Sequence, residues 1–233
     1  MLLDSVPLIG EGLSAGLLEE VFLTPGSHPT LREEAQRRGV PVTDADPDLL
    51  RRMSGIDSSA GAAALARLPE PLRLGDGFAD GPLTLVFLDA VADPGNLGGI
   101  VRTAAAFGAD GVLVGRDCAD PTAPKALRAS AGALLRLPVA RPVDLETLAD
   151  TLGSFTILRA TAHGGADPTS LAIGPRRLLW VGNEAHGPGP VPPALNVTDV
   201  TIPLELGSES LNVAAAAAVL LFLMHRAFDV SPR

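Results

Sequence analysis

The stretch LTLVFLD, residues 83–89, decides the fold class because six of its seven residues are apolar or small enough to be buried. A continuous apolar run of this length is typical of a strand that is buried on both faces of a parallel sheet. A helix is predicted after it, over Leu97–Phe107, and then a second apolar strand over Gly111–Val114. A buried strand, a helix and a further buried strand indicate an α/β domain with a parallel sheet.

The same alternation continues towards the C-terminus. Apolar runs predict three more strands, and periodic segments between and after them predict three more helices. The strands are Phe155–Thr161, Leu178–Gly182 and Val200–Pro203, and the helices are Lys125–Ala131, Leu145–Leu152 and Leu211–Ala227. Ligands of such sheets bind at the carboxyl ends of the strands, so functional residues are expected in the loops that follow strands.

The region before residue 83 is organised differently. Its segment Leu68–Pro82 is rich in Pro, Gly and Asp, which is typical of a linker. Short strands and helices before it predict a small α/β module, with elements at Val21–Thr24, Thr30–Arg38, Val40–Thr43, Asp48–Met53 and Ala62–Arg67. We place the module at residues 1–75, the linker at 76–82 and the main domain at 83–233.

Composition and charge exclude several classes of protein. The 233 residues are 46% hydrophobic and 19% charged, so the chain can bury a core. The single cysteine, Cys118, excludes a disulfide framework and any multi-cysteine metal site, and the four histidines are too far apart in sequence to suggest a metal centre.

The chain also shows no sign of a membrane or secretory protein. It has no signal peptide, and its longest apolar stretch, Val213–Met224, is too short to span a bilayer. We therefore expect a soluble cytoplasmic protein with no membrane partner and no metal. The net charge of −9 argues against a protein that covers nucleic acid non-specifically. It is compatible with a local arginine-rich surface that binds nucleic acid.

Three loops at the predicted strand ends carry unusual polar residues. In the first, residues 93–102 (DPGNLGGIVR), the glycines permit close backbone approach, Asn96 can cap the following helix, and Arg102 lies in its second turn. A capped helix with a surface arginine explains this loop equally well on its own. The glycine spacing also differs from the GxGxxG dinucleotide fingerprint.

The second and third loops follow later strands. In residues 181–190 (VGNEAHGPGP), the Glu184 carboxylate lies just after the end of a predicted buried strand. Glu184 could equally be a helix cap, and His186 is interpreted as a surface residue. In residues 201–213 (TIPLELGSESLNV), Ser210 is a good helix N-cap, whereas Asn212 lies two residues into the predicted helix and is harder to explain as a cap.

Taken together, the three loops resemble the motifs of the SpoU (TrmH-like) RNA ribose 2′-O-methyltransferases of the SPOUT superfamily. The pattern is Asn-x5-Arg, then Gly-Asn-Glu-x2-Gly, then Ile-Pro-x6-Ser-Leu-Asn, in that order, and the resemblance covers roughly Leu83–Phe228. The family often has Met where Leu204 stands and Gly where Leu206 stands. More weakly, Val6–Leu68 resembles the small ribosomal-protein-like domain that binds RNA in rRNA-directed members. From this resemblance we expect that part of the first helix is missing.

The resemblance implies a fold, a reaction and partners. The fold is a parallel-sheet domain with a deep C-terminal trefoil knot. The reaction is transfer of a methyl group from S-adenosylmethionine to a ribose 2′-hydroxyl of RNA, with rRNA as the first choice and tRNA as the alternative. The resemblance also implies a homodimer. The N-terminal module is expected to select the RNA. The candidates for RNA contact are its most closely spaced arginines, which are Arg32, Arg37, Arg38, Arg51 and Arg52.

The resemblance also implies roles for individual residues. Backbone groups of Gly182, Ile202 and Leu211 would hold the cofactor, with Leu204 and Thr161 beside it. Arg102 would grip the target phosphate and stabilise alkoxide charge, because a guanidinium stays protonated and makes a poor base. The remaining catalytic residues are Asn96, Ser210 and Asn212, which would position the ribose and Arg102, and Glu184, which would orient its loop.

Two other readings compete with this one. A non-catalytic RNA-binding or ribosome-assembly protein on the same scaffold would be expected to lack the arginine or the Asn/Ser set, and all of these residues are present. A nucleotide-binding oxidoreductase is disfavoured because the glycine fingerprint and its downstream acidic residue are missing.

Overall fold

The computed structural model of the protein describes residues 1–54, 61–72, 81–205 and 210–229. Its first sheet has four strands in the order β1-β4-β2-β3, of which only β2 and β3 run parallel. The strands are β1 (Leu2–Leu3), β2 (Leu18–Leu23), β3 (Val42–Asp44) and β4 (Ala62–Ala66), and the helices are α1 (Val6–Ser14), α2 (Pro29–Arg37) and α3 (Pro47–Ser54). The sequence pattern indicates this module, but β1 and α1 were not predicted from it.

The second sheet has six strands, all parallel, in the order β10-β8-β9-β5-β6-β7. The strands are β5 (Leu83–Leu88), β6 (Gly111–Gly115), β7 (Val139–Val143), β8 (Thr156–Ala160), β9 (Arg176–Val181) and β10 (Val197–Val200). The α-helices are α4 (Pro94–Ala106), α5 (Pro124–Ala129), α6 (Ala149–Leu152) and α7 (Val213–Asp229). Short 3₁₀ helices form at Ala133–Leu135, Leu145–Leu148 and Pro168–Ser170. The predicted α/β class with a parallel sheet is confirmed.

Burial of strand β5 on both faces explains its continuous apolar sequence. Val86 and Leu88 belong to the same buried cluster as Leu97 and Ile100 of α4. On the opposite face, residues of β5 pack into a second cluster with Leu178 and Trp180 of β9. Each large side chain buried in this way contributes about 1.5–3 kcal/mol of hydrophobic stabilisation.

Two strands of this sheet differ from the sequence prediction. β7 was missed because it contains Pro142, and a proline is tolerated in a strand chiefly at the edge of a sheet, which is where β7 lies. β10 ends at Val200, where the predicted strand begins. Its partner β8 ends at Ala160, opposite Val200. Beyond that point the Thr201 amide donates instead to the carbonyl of Ala166.

The N-terminal module packs directly on the six-stranded domain. One hydrophobic cluster contains residues of both, including Leu3, Ile9 and Leu127. The buried carboxylate of Asp4 pairs with Arg128 of α5. Most of the predicted linker, residues 76–80, lies outside the described residues, so the boundaries of residues 1–75 and 83–233 stay a prediction. Among the described residues, no helix is both long enough and apolar enough to cross a membrane.

Candidate active site

The three loops that follow β5, β9 and β10 form the site. β9 lies between β8 and β5 in the sheet, so the loops after β5 and β9 leave the same edge side by side. All strands of this sheet are parallel, so every one of these loops lies at the carboxyl edge, where α/β sheets bind ligands.

Helix α4 begins at Pro94, and its N-cap is Asp93 rather than Asn96. The Asp93 carboxylate accepts a hydrogen bond from the Asn96 amide at 2.9 Å. The Asp-Pro pair at a helix start is the sequence signal that could have shown this. Because the helix starts three residues earlier than predicted, Arg102 lies in its third turn and the Asn96 side chain is free for other contacts.

The Asn96 side chain joins the three loops in a chain of hydrogen bonds. Its Nδ2 donates to Oε1 of Glu184 at 2.9 Å, and its Oδ1 accepts from Nδ2 of Asn212 at 3.0 Å. We call Glu184, Asn96 and Asn212 the amide relay. The relay connects residues 88 and 116 positions apart in the sequence.

Asn212 is the N-cap of α7 and not a residue within the helix. Its Oδ1 accepts hydrogen bonds from the amides of Ala214 and Ala215 at 2.9 and 3.3 Å. The expectation that Ser210 caps this helix is therefore wrong. Ser210 lies before the helix, exposed, and lines the cleft described below. Because the Asn212 oxygen faces its own helix, its Nδ2 is the end that reaches Asn96.

Glu184 links the loop after β9 to the loop after β5. Its carboxylate also accepts hydrogen bonds from the backbone amides of Ala92 and Asp93, at 3.3 and 3.2 Å. Partial burial raises the pKa of this carboxyl, but hydrogen bonds from Asn96 and from backbone amides outweigh it, and the net pKa is lowered. Glu184 is therefore an ionised acceptor that links the second loop to the first, and its part in the reaction stays a prediction.

Arg102 is exposed on α4, three residues after Gly99. A Cβ atom at Gly99 would lie 3.6 Å from that of Ala214, so α4 and α7 approach closely at this point through small residues. No hydrogen bond or ion pair joins Arg102 to another of the described residues. Its exposed guanidinium is thus available to a ligand.

A cleft of about 440 Å³ opens between the second and third loops. Its lining contains all five residues that were predicted to contact the cofactor: Thr161, Gly182, Ile202, Leu204 and Leu211. Glu184 and Ser210 also line it, whereas Asn96, Arg102 and Asn212 lie outside it. Its volume is in the range of small-molecule and cofactor sites, and its wall combines apolar side chains such as Val181 and Leu220 with loop backbone.

Gly182 is required by the close turn of the second loop. A Cβ atom there would lie only 2.0 Å from the nitrogen of Pro188. The turn is closed by two backbone hydrogen bonds between Asn183 and Gly187, of 3.0 and 2.9 Å. Asn183 Nδ2 also donates to the carbonyl of Ala90 at 2.9 Å, a role that sequence reasoning missed because its partner is a backbone atom of a distant loop.

Metal ligands are not grouped in the part of the chain that the structure describes. No cluster of three or more His, Cys, Asp or Glu side chains there could hold an ion.

Comparisons with known proteins agree with the arrangement of the three loops. Residues 83–222 match the SpoU rRNA Methylase family. The chain is 32% identical over 188 residues to the 23S rRNA (adenosine(1067)-2′-O)-methyltransferase of Streptomyces azureus, a match that covers 79% of this chain and 70% of the relative. It is 31% identical over 217 residues to the 23S rRNA (guanosine(2553)-2′-O)-methyltransferase of Bacillus subtilis, covering 88% and 84%.

A solved structure extends the similarity over the whole chain. The SpoU methyltransferase AviRb from Streptomyces viridochromogenes, in complex with the cofactor AdoMet, superposes with a TM-score of 0.86 at 26% identity. The alignment covers 100% of this chain and 91% of AviRb. More than half of the chain matches the family, and its motifs converge on one site. The chain belongs to the SpoU rRNA methylase family.

Proposed function

We propose that this protein is an S-adenosylmethionine-dependent methyltransferase that methylates a ribose 2′-hydroxyl of rRNA. The observation that carries the proposal is the amide relay, which brings the three loops together beside a cleft of cofactor size. The substrate follows from the two relatives named as 23S rRNA 2′-O-methyltransferases, and the cofactor from the AdoMet-bound AviRb structure. Methylation of tRNA is the alternative within the same class.

The volume and the lining of the cleft support its assignment as the cofactor site. Apolar Leu204 and Ile202 form one part of its wall, and the backbone of Gly182 and Leu211 offers hydrogen-bonding groups that do not depend on side-chain charge. Thr161 lies at the end of β8, beside them. When bound, S-adenosylmethionine supplies an electrophilic methyl group on a sulfonium. These five residues have to hold it within reach of a ribose oxygen, and much of the rate comes from that proximity.

Arg102 binds the substrate in this proposal. Its exposed guanidinium remains charged and offers a fork of N–H donors that suits a phosphate group. There it would hold the phosphate next to the target ribose and stabilise negative charge on the 2′-oxygen as the proton leaves. Ser210 and the relay residues Asn96 and Asn212 would orient the ribose and Arg102, and Glu184 would fix Asn96.

The outer face of α7 supports a homodimer. Val219 is 38% and Phe222 is 47% exposed, and Ala215 is exposed on the same side of the helix. This spacing of four and three residues forms an apolar stripe that a second copy could bury. Phe222→Glu should convert a dimer to monomers in sedimentation experiments, whereas Leu65→Glu, at an exposed leucine of β4, should not. A dimeric Phe222→Glu variant would contradict this interface.

The remaining parts of the proposal come from the family resemblance. The N-terminal module would select the RNA, the C-terminal region would form a trefoil knot, and the protein would work in the cytoplasm, where rRNA is matured. A non-catalytic role on this scaffold has less support because Arg102, Ser210 and the relay are all present.

The experiment that tests the proposed reaction combines binding and RNA mapping. Calorimetry should detect binding of S-adenosylmethionine and not of NAD(H). Ribose methylation mapped on total RNA should reveal one or more sites that are lost when the gene is deleted and restored by the wild-type gene. Arg102→Ala should restore none, and Arg102→Lys very little, although both variants bind the cofactor normally. Restoration by Arg102→Ala would remove this residue from the mechanism.

A further inference from the structure

A row of large polar and aromatic side chains crosses the sheet just below the second loop. Arg159 of β8 is the register partner of Trp180 on β9 and of Asp199 on β10. Trp180 is in turn the register partner of Phe87 on β5. Register partners in a parallel sheet project from the same face, so the four side chains lie side by side.

Arg159 is held in one orientation by three neighbours. Its Nε and Nη2 donate to the two carboxylate oxygens of Asp199, at 2.7 and 2.9 Å. Its Nη1 donates to the carbonyl of Gly189 at 2.8 Å. Its guanidinium lies 5.6 Å from the centre of the Trp180 ring, within the range of a cation–π contact.

Asp89 holds the same loop from the end of β5. Its Oδ2 accepts a hydrogen bond from the Gly189 amide at 2.6 Å and another from Nε1 of Trp180 at 3.0 Å. Both backbone polar groups of Gly189 are therefore bonded to side chains of the sheet, the amide to Asp89 and the carbonyl to Arg159. A Cβ atom at Gly189 would lie 3.1 Å from Oδ2 of Asp89, so the two residues approach each other closely.

Gly189 lies where the second loop ends, and Gly182 lies where it starts, in the cleft wall. The turn at Asn183–Gly187 is fixed to the first loop through Ala90 and Glu184. The segment after it is bonded to Arg159 and Asp89 through Gly189. Arg159 itself also lines the cleft. The pKa of Asp199 is lowered by the hydrogen bond from Arg159, and that of Arg159 is raised by the same bond, so the pair stays ionised at neutral pH.

We propose that Arg159 and Asp89 are positioning residues that clamp Gly189 and thereby hold the second loop in the shape that binds S-adenosylmethionine. The inference rests on the proposed function. A loop that is already ordered before binding loses less conformational freedom when the cofactor enters, so the clamp acts on cofactor affinity. Loss of the clamp should leave the reacting groups unchanged once the cofactor is bound.

The alternative is that Arg159 only stabilises the sheet. The two roles differ in their effect on the affinity for S-adenosylmethionine. A stabilising ion pair alters the free energy of unfolding but leaves cofactor affinity unchanged. Arg141 is the matched control because it is also a strand arginine paired with an aspartate, Asp120, but it lies on β7 at the opposite edge of the sheet.

The test measures S-adenosylmethionine binding by calorimetry and methylation kinetics with the full-length protein. Arg159→Gln should raise the Kd and the KM for S-adenosylmethionine at least tenfold and leave kcat at saturating cofactor within about threefold, whereas Arg141→Gln should leave all three unchanged. Arg159→Lys keeps the charge but loses the fork, and it should weaken cofactor binding by a smaller factor. It also serves as the decisive variant if Arg159→Gln does not fold.

A double-variant cycle tests whether the two residues act on the same loop. Combining Arg159→Gln with Asp89→Asn should weaken cofactor binding by less than the product of the single effects, because both contacts end on Gly189. A Kd within twofold of wild type in Arg159→Gln, or in Arg159→Lys where only that variant folds, would overturn the clamp. Failure of the wild-type protein to bind S-adenosylmethionine would overturn the proposed function instead.

Discussion

Asn212 has two tasks that use opposite ends of one side chain. Its oxygen caps α7, and its nitrogen donates to Asn96 in the amide relay. Asn212→Ser should keep the cap, since serine is a good N-cap, and lose the contact to Asn96. We therefore expect methylation to fall at least tenfold while the free energy of unfolding stays close to that of wild type.

Asn212→Ala is the companion variant, because it removes both roles of the side chain. It loses both the cap and the relay contact, so it should show the same loss of methylation and also lose about 1 kcal/mol of stability. Urea unfolding and a methylation assay on the three proteins make the comparison. Full activity of Asn212→Ser would show that the relay has no part in catalysis.

The lowered pKa of Glu184 gives a prediction with a defined sign. A carboxyl group whose pKa is lower in the folded than in the unfolded state stabilises the fold above its usual value of about 4.5, and this contribution is lost as the pH falls through the folded-state pKa. Glu184→Gln should therefore be less stable than wild type at pH 7, and the difference should shrink below about pH 4.

The control for Glu184→Gln removes the same charge elsewhere. Glu19 is an exposed residue of β2 whose side chain has no hydrogen bond or ion pair to the described residues. Urea unfolding of wild type, Glu184→Gln and Glu19→Gln at pH 7 and at about pH 3 measures the pH dependence and corrects for the change in net charge. A deficit in Glu184→Gln that does not depend on pH would mean that the ionised carboxylate is not what holds the two loops together.

At the scale of elements, contact between α4 and α5 sets the position of the first loop. A Cβ atom at Gly98 would lie 2.3 Å from the carbonyl oxygen of Ala126 and 2.8 Å from the Cβ atom of Ala129. Neither atom is the end of a flexible side chain. Gly98→Ala should therefore force the helices apart and destabilise the protein by about 1–3 kcal/mol, with a loss of methylation because Asn96 moves with α4.

Gly10 provides the matched control in a helix. It lies within α1, where a Cβ atom would meet nothing within 4 Å. Gly10→Ala should raise stability by up to about 1 kcal/mol, as expected from helix propensity alone. Denaturant unfolding of both variants measures the difference. Equal effects at the two sites would contradict the close packing of α4 on α5.

Elements with strong local signals could be predicted from the sequence, and those defined by tertiary neighbours could not. β5 is an uninterrupted apolar run, and α2 ends where Gly39 adopts a φ of +74°. β7 contains a proline that only its position at the sheet edge makes acceptable. The end of β10 depends on where β8 ends, and no local pattern carries that information.

The same distinction holds for the candidate site. Ten candidate site residues were identified in the sequence, and seven of them line one cleft: the five predicted to contact the cofactor, together with Glu184 and Ser210. The cap of α7 was misassigned because serine and asparagine are both good caps, and only the structure distinguishes residue 210 from 212. The clamp of Arg159 and Asp89 on Gly189 joins β8 and the end of β5 to a loop, and no spacing in the chain indicates it.

At the scale of the whole molecule, the arginines of the N-terminal module face carboxylates. Arg32 pairs with Asp44, Arg37 and Arg38 both pair with Glu34, and Arg51 pairs with Asp48. Of the five arginines expected to contact RNA, only Arg52 has no ion-pair partner among the described residues. RNA binding by the five arginines therefore stays a prediction. Any RNA contact made by the four paired arginines has to compete with an existing ion pair.

This competition allows RNA affinity to be raised as well as lowered. Glu34→Gln removes the carboxylate that Arg37 and Arg38 share, while the contact of Arg38 with the Leu13 carbonyl remains. If the module binds RNA phosphates through this helix, Glu34→Gln should bind an rRNA fragment more tightly. The slope of log affinity against log salt concentration should steepen by about 1 to 2, that is, by about 1 for each new phosphate contact.

Replacing both arginines by alanine should lower affinity and flatten the slope. Asp120→Asn, which releases Arg141 of β7 instead of an arginine of α2, controls for a general gain of positive charge. Identical affinities and slopes for Glu34→Gln and wild type would move RNA recognition away from α2.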